Sequence, residues 1–182
     1  SEGSLLREID VVPSVLYRTE IYQRTGSDEA RAVQIYDKKK YTLVTNWPFK
    51  VRALINAKES RTHGGCKKAI RLLKNMKEDA DAAIALSSFD IMSLVYAMQD
   101  EDLQHQSYYE GKIVASLQNW FSVLADNEIY LRTIDVVDGS RKIVQSASDV
   151  AAVKQISAEL NMLILRIAQE LQHDIPASYQ AW

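Results

Sequence analysis

Three short stretches of this 182-residue chain carry residue types that could do chemistry. The first is Ile9-Asp10-Val11-Val12-Pro13, in which an aspartate interrupts a short apolar run that stops at a proline. Aspartate is depleted in β-strands and is rarely buried without a partner. Asp10 is therefore predicted to be either a solvent-facing strand acid or a ligand for a cation.

The second stretch is a cationic stripe formed by Lys67, Arg71 and Lys74. In a helix this spacing places the three side chains on one face, opposite an apolar face. Lysine binds phosphate as a mobile point charge, and arginine binds it as a planar fork. The stripe is a candidate phosphate site, although basic stripes in general are more often solvated helix faces.

The third stretch is Ser87-Ser88-Phe89-Asp90, at the start of an apolar helical pattern. Two hydroxyls and the free amides of a helix start can bind an anion, and the phenylalanine could stack on a base. An N-cap followed by a core phenylalanine is an equally good explanation of the same residues. Both interpretations stay open at this point.

Composition narrows the class of protein. The chain is 47% hydrophobic and 25% charged, which is typical of globular proteins, and its net charge of -2 argues against chain-wide nucleic-acid binding. The single cysteine excludes an intramolecular disulfide and a cysteine-built zinc site. No apolar run approaches the roughly 20 residues that cross a bilayer. We therefore expect no membrane partner and a cytoplasmic location.

The periodicity of the chain changes near residue 46. Before it, strands are predicted over residues 7–12, 15–23, 32–36 and 41–45, with a polar hairpin turn at 37–40. After it, helices are predicted over 48–61, 66–77, 89–98, 100–124 and 148–173, and residues 128–134 and 141–144 are predicted to be extended, around an Asp138-Gly139 turn. The predicted fold is α+β: a partial antiparallel or mixed sheet at the N-terminus followed by a mostly helical domain.

Taken in order, four pieces of the chain resemble the second half of a polymerase-beta-like nucleotidyltransferase of the oligoadenylate-synthetase or bacterial cyclic-dinucleotide synthase type. Ile9-Asp10-Val11-Val12-Pro13 resembles the strand that carries the third catalytic carboxylate, and Asn46-Trp47-Pro48 resembles the phrase that leaves the palm sheet. Residues 65–77 resemble the helix whose lysine reaches the triphosphate, and residues 86–91 resemble the start of the next helix of the nucleotide pocket. The resemblance covers about residues 7–98.

The resemblance implies a reaction and a metal. Enzymes of this superfamily transfer a nucleoside monophosphate from a nucleoside triphosphate to a hydroxyl group, with two Mg²⁺ ions at the reacting centre. Asp10 would be the catalytic residue that binds the metal next to the attacking hydroxyl. The acceptor would be a second nucleotide or RNA, and the product an oligonucleotide or a cyclic nucleotide.

The resemblance also implies nucleotide-binding residues. Lys74 would pair with the β- and γ-phosphates, with Lys67 and Arg71 as weaker candidates. Ser87 and Ser88 would form hydrogen bonds with the triphosphate or ribose. Phe89 would line the base.

The chain departs from the family pattern at its N-terminus. The family's Gly-Ser loop and paired acids precede the third carboxylate by tens of residues, whereas nine residues precede Asp10. The resemblance therefore implies a C-terminal fragment, inactive alone, that lacks the N-terminal half of the palm domain. Residues 1–46 would be the remnant of the palm sheet. Residues 47–182 would be the helical nucleotide-pocket domain, with a small extended segment near 128–144.

Two other functions remain compatible with the sequence. One is a non-catalytic helical interaction module whose basic helix binds an acidic partner or RNA. The other is a transferase that adds nucleotides to RNA, which a long basic groove would favour and the modest net charge does not.

Overall fold

The computed structural model of the chain describes residues 12–38, 41–104 and 111–173. The chain divides into two compact units, of which the first ends at Ala53 and the second begins at Leu54. No helix among these described residues combines the length and the apolar character of a bilayer-spanning segment.

The first unit contains an antiparallel sheet of three described strands in the order β1-β2-β3. The strands are β1 (Ser14–Arg18), β2 (Arg31–Asp37) and β3 (Thr42–Asn46). The pair Asp37 and Thr42 closes the β2–β3 hairpin, as the polar turn predicted. Residues 7–11 of the first predicted strand, including Asp10, lie outside the described residues.

The second half of the predicted strand over 15–23 is wrong, because a short helix replaces it. Helix α1 spans Glu20–Thr25. The Thr19 side chain caps this helix by accepting a hydrogen bond from the Tyr22 amide at 3.0 Å, and Gly26 ends it with a φ of 67°. A capping threonine and a left-handed glycine set these bounds more strongly than the alternating apolar residues that suggested a strand.

The second unit is helical, and the helix α2 that leads into it also includes the last residues of the first unit. Helices predicted over 48–61, 66–77, 89–98 and 148–173 are confirmed within one or two residues at most ends. The observed helices are α2 (Pro48–Arg61), α3 (Gly65–Asp79), α4 (Ser88–Tyr96), α5 (Asp100–Leu103), α6 (Gly111–Asp126), α7 (Glu128–Leu131) and α8 (Ala147–His173).

The single helix predicted over 100–124 is wrong, since α5 and α6 are separate helices. Gln104 leaves the helical region after α5, with a φ of -58° and a ψ of 118°. Residues 105–110 lie outside the described residues, and Gly111, the weak point of the predicted helix, is the first residue of α6.

The extended segment predicted over 128–134 is also wrong, because its first half is the short helix α7. The Asn127 side chain caps α7 by accepting from the Tyr130 amide at 3.0 Å. Glu128 pairs with Arg132 one turn later at 2.7 Å. The Asp138-Gly139 turn is confirmed, with a φ of 75° at the glycine, which places it in the left-handed region that glycine adopts without strain.

The core of the second unit lies where α6 packs against α8 and α3 packs against α4. Its largest fully buried side chains include Leu73, Ile91, Leu94, Leu117, Phe121, Leu124, Ile156 and Leu160. Each fully buried side chain of this size contributes about 1.5–3 kcal/mol relative to an exposed one. The apolar stripes that predicted these helices are the faces that they bury.

A buried lysine joins the end of α2 to the start of α5. Lys58 is 3% exposed, and its ammonium donates to the Met98 carbonyl and to the Asp100 carboxylate, both at 2.7 Å. The ammonium also lies 5.6 Å from the centre of the Tyr96 ring. The other oxygen of Asp100 accepts a hydrogen bond from Arg61. Hydrogen bonds from Arg61 and Lys58 hold the pKa of the Asp100 carboxyl below its usual range.

Replacing Asp100 with asparagine should destabilise the helical unit by about 3 kcal/mol, since it leaves the buried ammonium without its counter-charge. Because the folded-state pKa of Asp100 is lowered, its contribution is present at neutral pH and is lost as the pH falls below about 4. Urea unfolding followed by circular dichroism should therefore show a smaller loss of stability on acidification in Asp100→Asn than in the wild type.

The matched control is Asp102→Asn, an exposed acid two residues later on the same helix. Its effect should stay within about 0.5 kcal/mol, as for most surface substitutions. Equal destabilisation by the two variants would show that the pair with Lys58 does not stabilise the fold.

Candidate functional site

A tight turn positions the N-terminus of α3. His63 and Gly64 both have positive φ, 51° and 93°, and reverse the chain between α2 and α3. The Glu59 carboxylate on α2 accepts a hydrogen bond from the Lys67 amide at 2.7 Å and so satisfies one free amide of the new helix. The glycine pair in the sequence is the signal for this turn.

The basic stripe lies on one face of α3, away from its buried apolar face. Lys67 and Arg71 are exposed and Lys74 is half-buried. The Lys67 ammonium donates to the Asn56 side-chain oxygen at 2.8 Å. Arg71 and Lys74 form no hydrogen bond or ion pair with any described residue. These two cations therefore have no side-chain partner among the described residues, whereas Lys67 commits one of its three ammonium donors to Asn56.

The two serines before α4 have different roles in the structure. Ser87 is the N-cap: its hydroxyl accepts from the Asp90 amide at 3.0 Å and donates to the Asp90 carboxylate at 2.5 Å. The hydroxyl proton of Ser87 is thus already committed. Ser88 is exposed, and its hydroxyl has no partner among the described residues. Ser88 is the hydroxyl of this pair that can donate to a phosphate oxygen.

Sequence reasoning assigned no role to Asp90, the acid that organises the start of α4. Asp90 is 7% exposed, and its second carboxylate oxygen accepts from the Arg141 guanidinium at 2.7 Å. The Ser87-x-x-Asp90 spacing is a recognisable capping signal for the hydrogen bonds between Ser87 and Asp90. Arg141 lies 51 residues after Asp90, and no local pattern in the sequence indicates their ion pair.

The segment around Asp138-Gly139 is fastened to α4 at a second point. Ser93 is fully buried, and its hydroxyl donates to the Phe89 carbonyl at 2.8 Å and accepts from the Val137 amide at 3.1 Å. Phe89 itself is half-buried. The start of α4 is therefore fixed by side-chain hydrogen bonds from within the helix and from a distant turn.

Packing of α3 against α4 brings the helix that carries Lys74 next to the helix that begins at Ser88. The two helices carry an ammonium, a guanidinium and a hydroxyl, which are donor types that bind phosphate oxygens. Asp10 lies outside the described residues, so its metal role stays a prediction. Within the described ranges, no group of three or more histidine, cysteine, aspartate or glutamate side chains could hold a metal ion.

The chain is similar to proteins named as cyclic dinucleotide synthases. The chain is 33% identical over 172 residues to the cyclic dinucleotide synthase CdnE of Yersinia aleksiciae, which covers 93% of this chain and 45% of the relative.

Two solved structures have the same fold. A STING-associated CdnE c-di-GMP synthase from Flavobacteriaceae sp. superposes with a TM-score of 0.76 at 26% identity, over 90% of this chain and 47% of that one. The corresponding enzyme from Capnocytophaga granulosa gives a TM-score of 0.73 at 28% identity, over 87% and 51%.

The chain spans about half the length of the curated relatives that it matches. Residues 53–165 match the family described as the cGAS/DncV-like nucleotidyltransferase C-terminal helical domain. This match covers most of the helical unit, including the basic stripe and both serines, and it confirms the resemblance on which the nucleotide-binding predictions rest. The chain belongs to the cGAS/DncV-like nucleotidyltransferase C-terminal helical domain family.

Proposed function

We propose that this chain is the C-terminal part of a longer, Mg²⁺-dependent nucleotidyltransferase that joins nucleoside triphosphates into a cyclic dinucleotide. The observation that carries the proposal is the family match over residues 53–165, which spans both helices of the predicted nucleotide site. This chain covers about half the length of these relatives, which are named as cyclic dinucleotide synthases.

A second nucleotide is the acceptor that we propose. The products named for the relatives include c-di-GMP, in which both partners of the linkage are nucleotides. An RNA acceptor would favour a long basic surface, whereas this chain has a net charge of -2. The family match likewise supports catalysis in the longer protein over a non-catalytic interaction module.

The side chains of α3 and α4 would bind and orient the triphosphate. Lys74 and Arg71 would offset the negative charge of the phosphates, and Ser88 would donate a hydrogen bond to one phosphate oxygen. Ser87 and Lys67 already have partners within the chain. We therefore assign Ser87 to holding the start of α4 and rank Lys67 below the other two cations.

Asp10 would supply one carboxylate to the metal site, and the remaining ligands would come from the part of the protein outside this chain. Carboxylate oxygen is the ligand that Mg²⁺ prefers. Bound Mg²⁺ would lower the pKa of the attacking hydroxyl and neutralise charge that develops on the phosphate.

The proposed activity is tested with the longer protein and the four nucleoside triphosphates. A phosphatase-resistant cyclic product, identified by mass spectrometry, should form with Mg²⁺ and not with EDTA. Asp10→Asn should abolish product formation without unfolding the protein. Unchanged turnover in this variant would contradict the metal role of Asp10, and no product from the wild type would contradict the proposed function.

Replacing Lys74 with methionine should lower kcat/KM for the triphosphate about 10- to 100-fold, because a charge-assisted hydrogen bond contributes about 1.5–3 kcal/mol. Lys154→Met, an exposed lysine on α8, is the matched control and should change kcat/KM less than about twofold. An equally small effect of Lys74→Met would remove this residue from the site.

Alanine variants of the two serines should change different properties of the protein. Ser88→Ala should raise KM for the triphosphate and leave thermal stability unchanged, since its hydroxyl is exposed and has no partner among the described residues. Ser87→Ala should lower stability by about 1 kcal/mol through loss of the N-cap. The opposite pattern, with Ser87→Ala raising KM at unchanged stability, would reverse the assignment.

A further inference from the structure

Arg141 lies on a small hairpin formed by residues 134–143. An antiparallel bridge between Asp135 and Lys142 closes this hairpin, and the Val136 amide donates to the Arg141 carbonyl at 2.9 Å. Four apolar residues of the hairpin are buried, namely Ile134, Val136, Val137 and Ile143. The backbone that carries Arg141 is therefore anchored in the core of the helical unit.

The Arg141 guanidinium forms its hydrogen bonds with the chain itself. Its Nη2 donates to the Asp90 carboxylate at 2.7 Å, and its Nη1 donates to the Lys142 carbonyl at 3.0 Å. The Arg141 side chain is 36% exposed, whereas Asp90 is buried. An effect of Arg141 on a ligand is therefore expected to act through Asp90.

A second contact joins the hairpin to α4. The buried Ser93 hydroxyl accepts from the Val137 amide at 3.1 Å and donates to the Phe89 carbonyl at 2.8 Å. Because two contacts join the same two segments, the position of Arg141 relative to the start of α4 depends on backbone groups as well as on its own side chain.

Asp90 places its charge in the first turn of the helix that carries Ser88. Its carboxylate accepts from the Ser87 hydroxyl at 2.5 Å, and its amide donates to that hydroxyl at 3.0 Å. The amides of Ser88 and Phe89 have no acceptor within α4, as at the start of any helix. The hydroxyl that we assign to the triphosphate and these two amides therefore lie within one turn of the Asp90 carboxylate.

An unbalanced carboxylate at this position would oppose a triphosphate. Like charges a few ångströms apart in a protein repel strongly enough to change a binding constant several-fold. A helix start whose acid is neutralised instead presents its amides and its positive dipole end to an anion. The capping contacts between Ser87 and Asp90 are local and need no arginine, whereas the charge balance does.

We propose that Arg141 is a positioning residue for triphosphate binding. It cancels the charge of Asp90 and holds the start of α4, so that Ser88 and the neighbouring amides can bind phosphate. This inference rests on the proposed function, since the site is the one assigned there to α3 and α4. It adds a residue outside both helices, 51 positions after Asp90, that sets the affinity of that site.

The test is the affinity of the longer protein for α,β-non-hydrolysable analogues of ATP and GTP with Mg²⁺, measured by isothermal titration calorimetry. Arg141→Gln keeps a hydrogen-bond donor but removes the charge, and it should raise the dissociation constant at least about fivefold. Arg141→Lys keeps the charge and should stay within about threefold of the wild type. The double variant Asp90→Asn/Arg141→Gln removes both charges and should return to within about twofold.

Arg132→Gln is the matched control. Arg132 pairs with Glu128 at 2.7 Å, and both side chains are 47% exposed. This variant should change the dissociation constant less than about twofold, as expected for a surface pair. All variants are compared at a temperature at which circular dichroism shows each one folded.

Turnover supplies a second readout. Arg141→Gln should raise KM by about the same factor as the dissociation constant and change kcat less than about twofold, because the lost interaction contributes equally to binding of the substrate and of the transition state. A residue that only stabilised the fold would change neither value below the unfolding temperature.

Three results would overturn the proposal. The first is an Arg141→Gln protein with lowered thermal stability and wild-type affinity. The second is an Arg141→Lys protein that binds as weakly as Arg141→Gln. The third is a folded double variant that has lost more than about fivefold in affinity. If Arg141→Gln does not fold, the double variant decides, since wild-type affinity of its neutral pair supports the charge balance.

The two proposals fail separately. Binding of the analogues with the expected pattern, without formation of a cyclic product, contradicts the proposed function and supports the role of Arg141. Formation of the product with equal affinity in the wild type and Arg141→Gln contradicts only the role of Arg141. A wild-type protein that binds neither analogue contradicts both.

Discussion

The helical unit depends on the buried ammonium of Lys58, which needs hydrogen-bond acceptors and a counter-charge inside the protein. Removing Lys58 from water is expensive unless its donors and charge are matched, and the chain meets this requirement with the Met98 carbonyl, the Asp100 carboxylate and the Tyr96 ring. These three groups lie at the junction of α4 and α5, so the end of α2 is held there. The turn through Gly64 follows directly, and α3 begins after it.

The start of α4 is held by a second set of polar contacts, of a different kind. Asp90 receives hydrogen bonds from Ser87 on its own helix and from Arg141 on a distant turn. The arginine balances a carboxylate that would otherwise repel an anion at this helix end. Fixed backbone amides and a balanced charge are conditions for binding phosphate without reorganisation of the protein.

Local patterns in the sequence were sufficient for α2, α3, α4, α8 and the β2–β3 hairpin, because their stripes, caps and turns involve neighbouring residues. They failed for α1 and α7, two short helices whose apolar residues suggested strands and whose bounds depend on the caps Thr19 and Asn127. The pairs Lys58–Asp100 and Asp90–Arg141 span 42 and 51 residues, and only the folded chain brings them together. The predicted site residues on α3 and α4 came from a family resemblance, and contacts within the chain then separated Ser88 from Ser87.

The boundary between the two units falls inside α2, between Ala53 and Leu54, and not in a loop. Division of the chain there would leave helical pieces of about six and eight residues, both shorter than the roughly 12–15 residues that a marginally stable isolated helix needs. Neither piece would keep its structure through its own hydrogen bonds. Expression of either unit alone would therefore require the whole of α2, and not only the part that lies on its own side of the boundary.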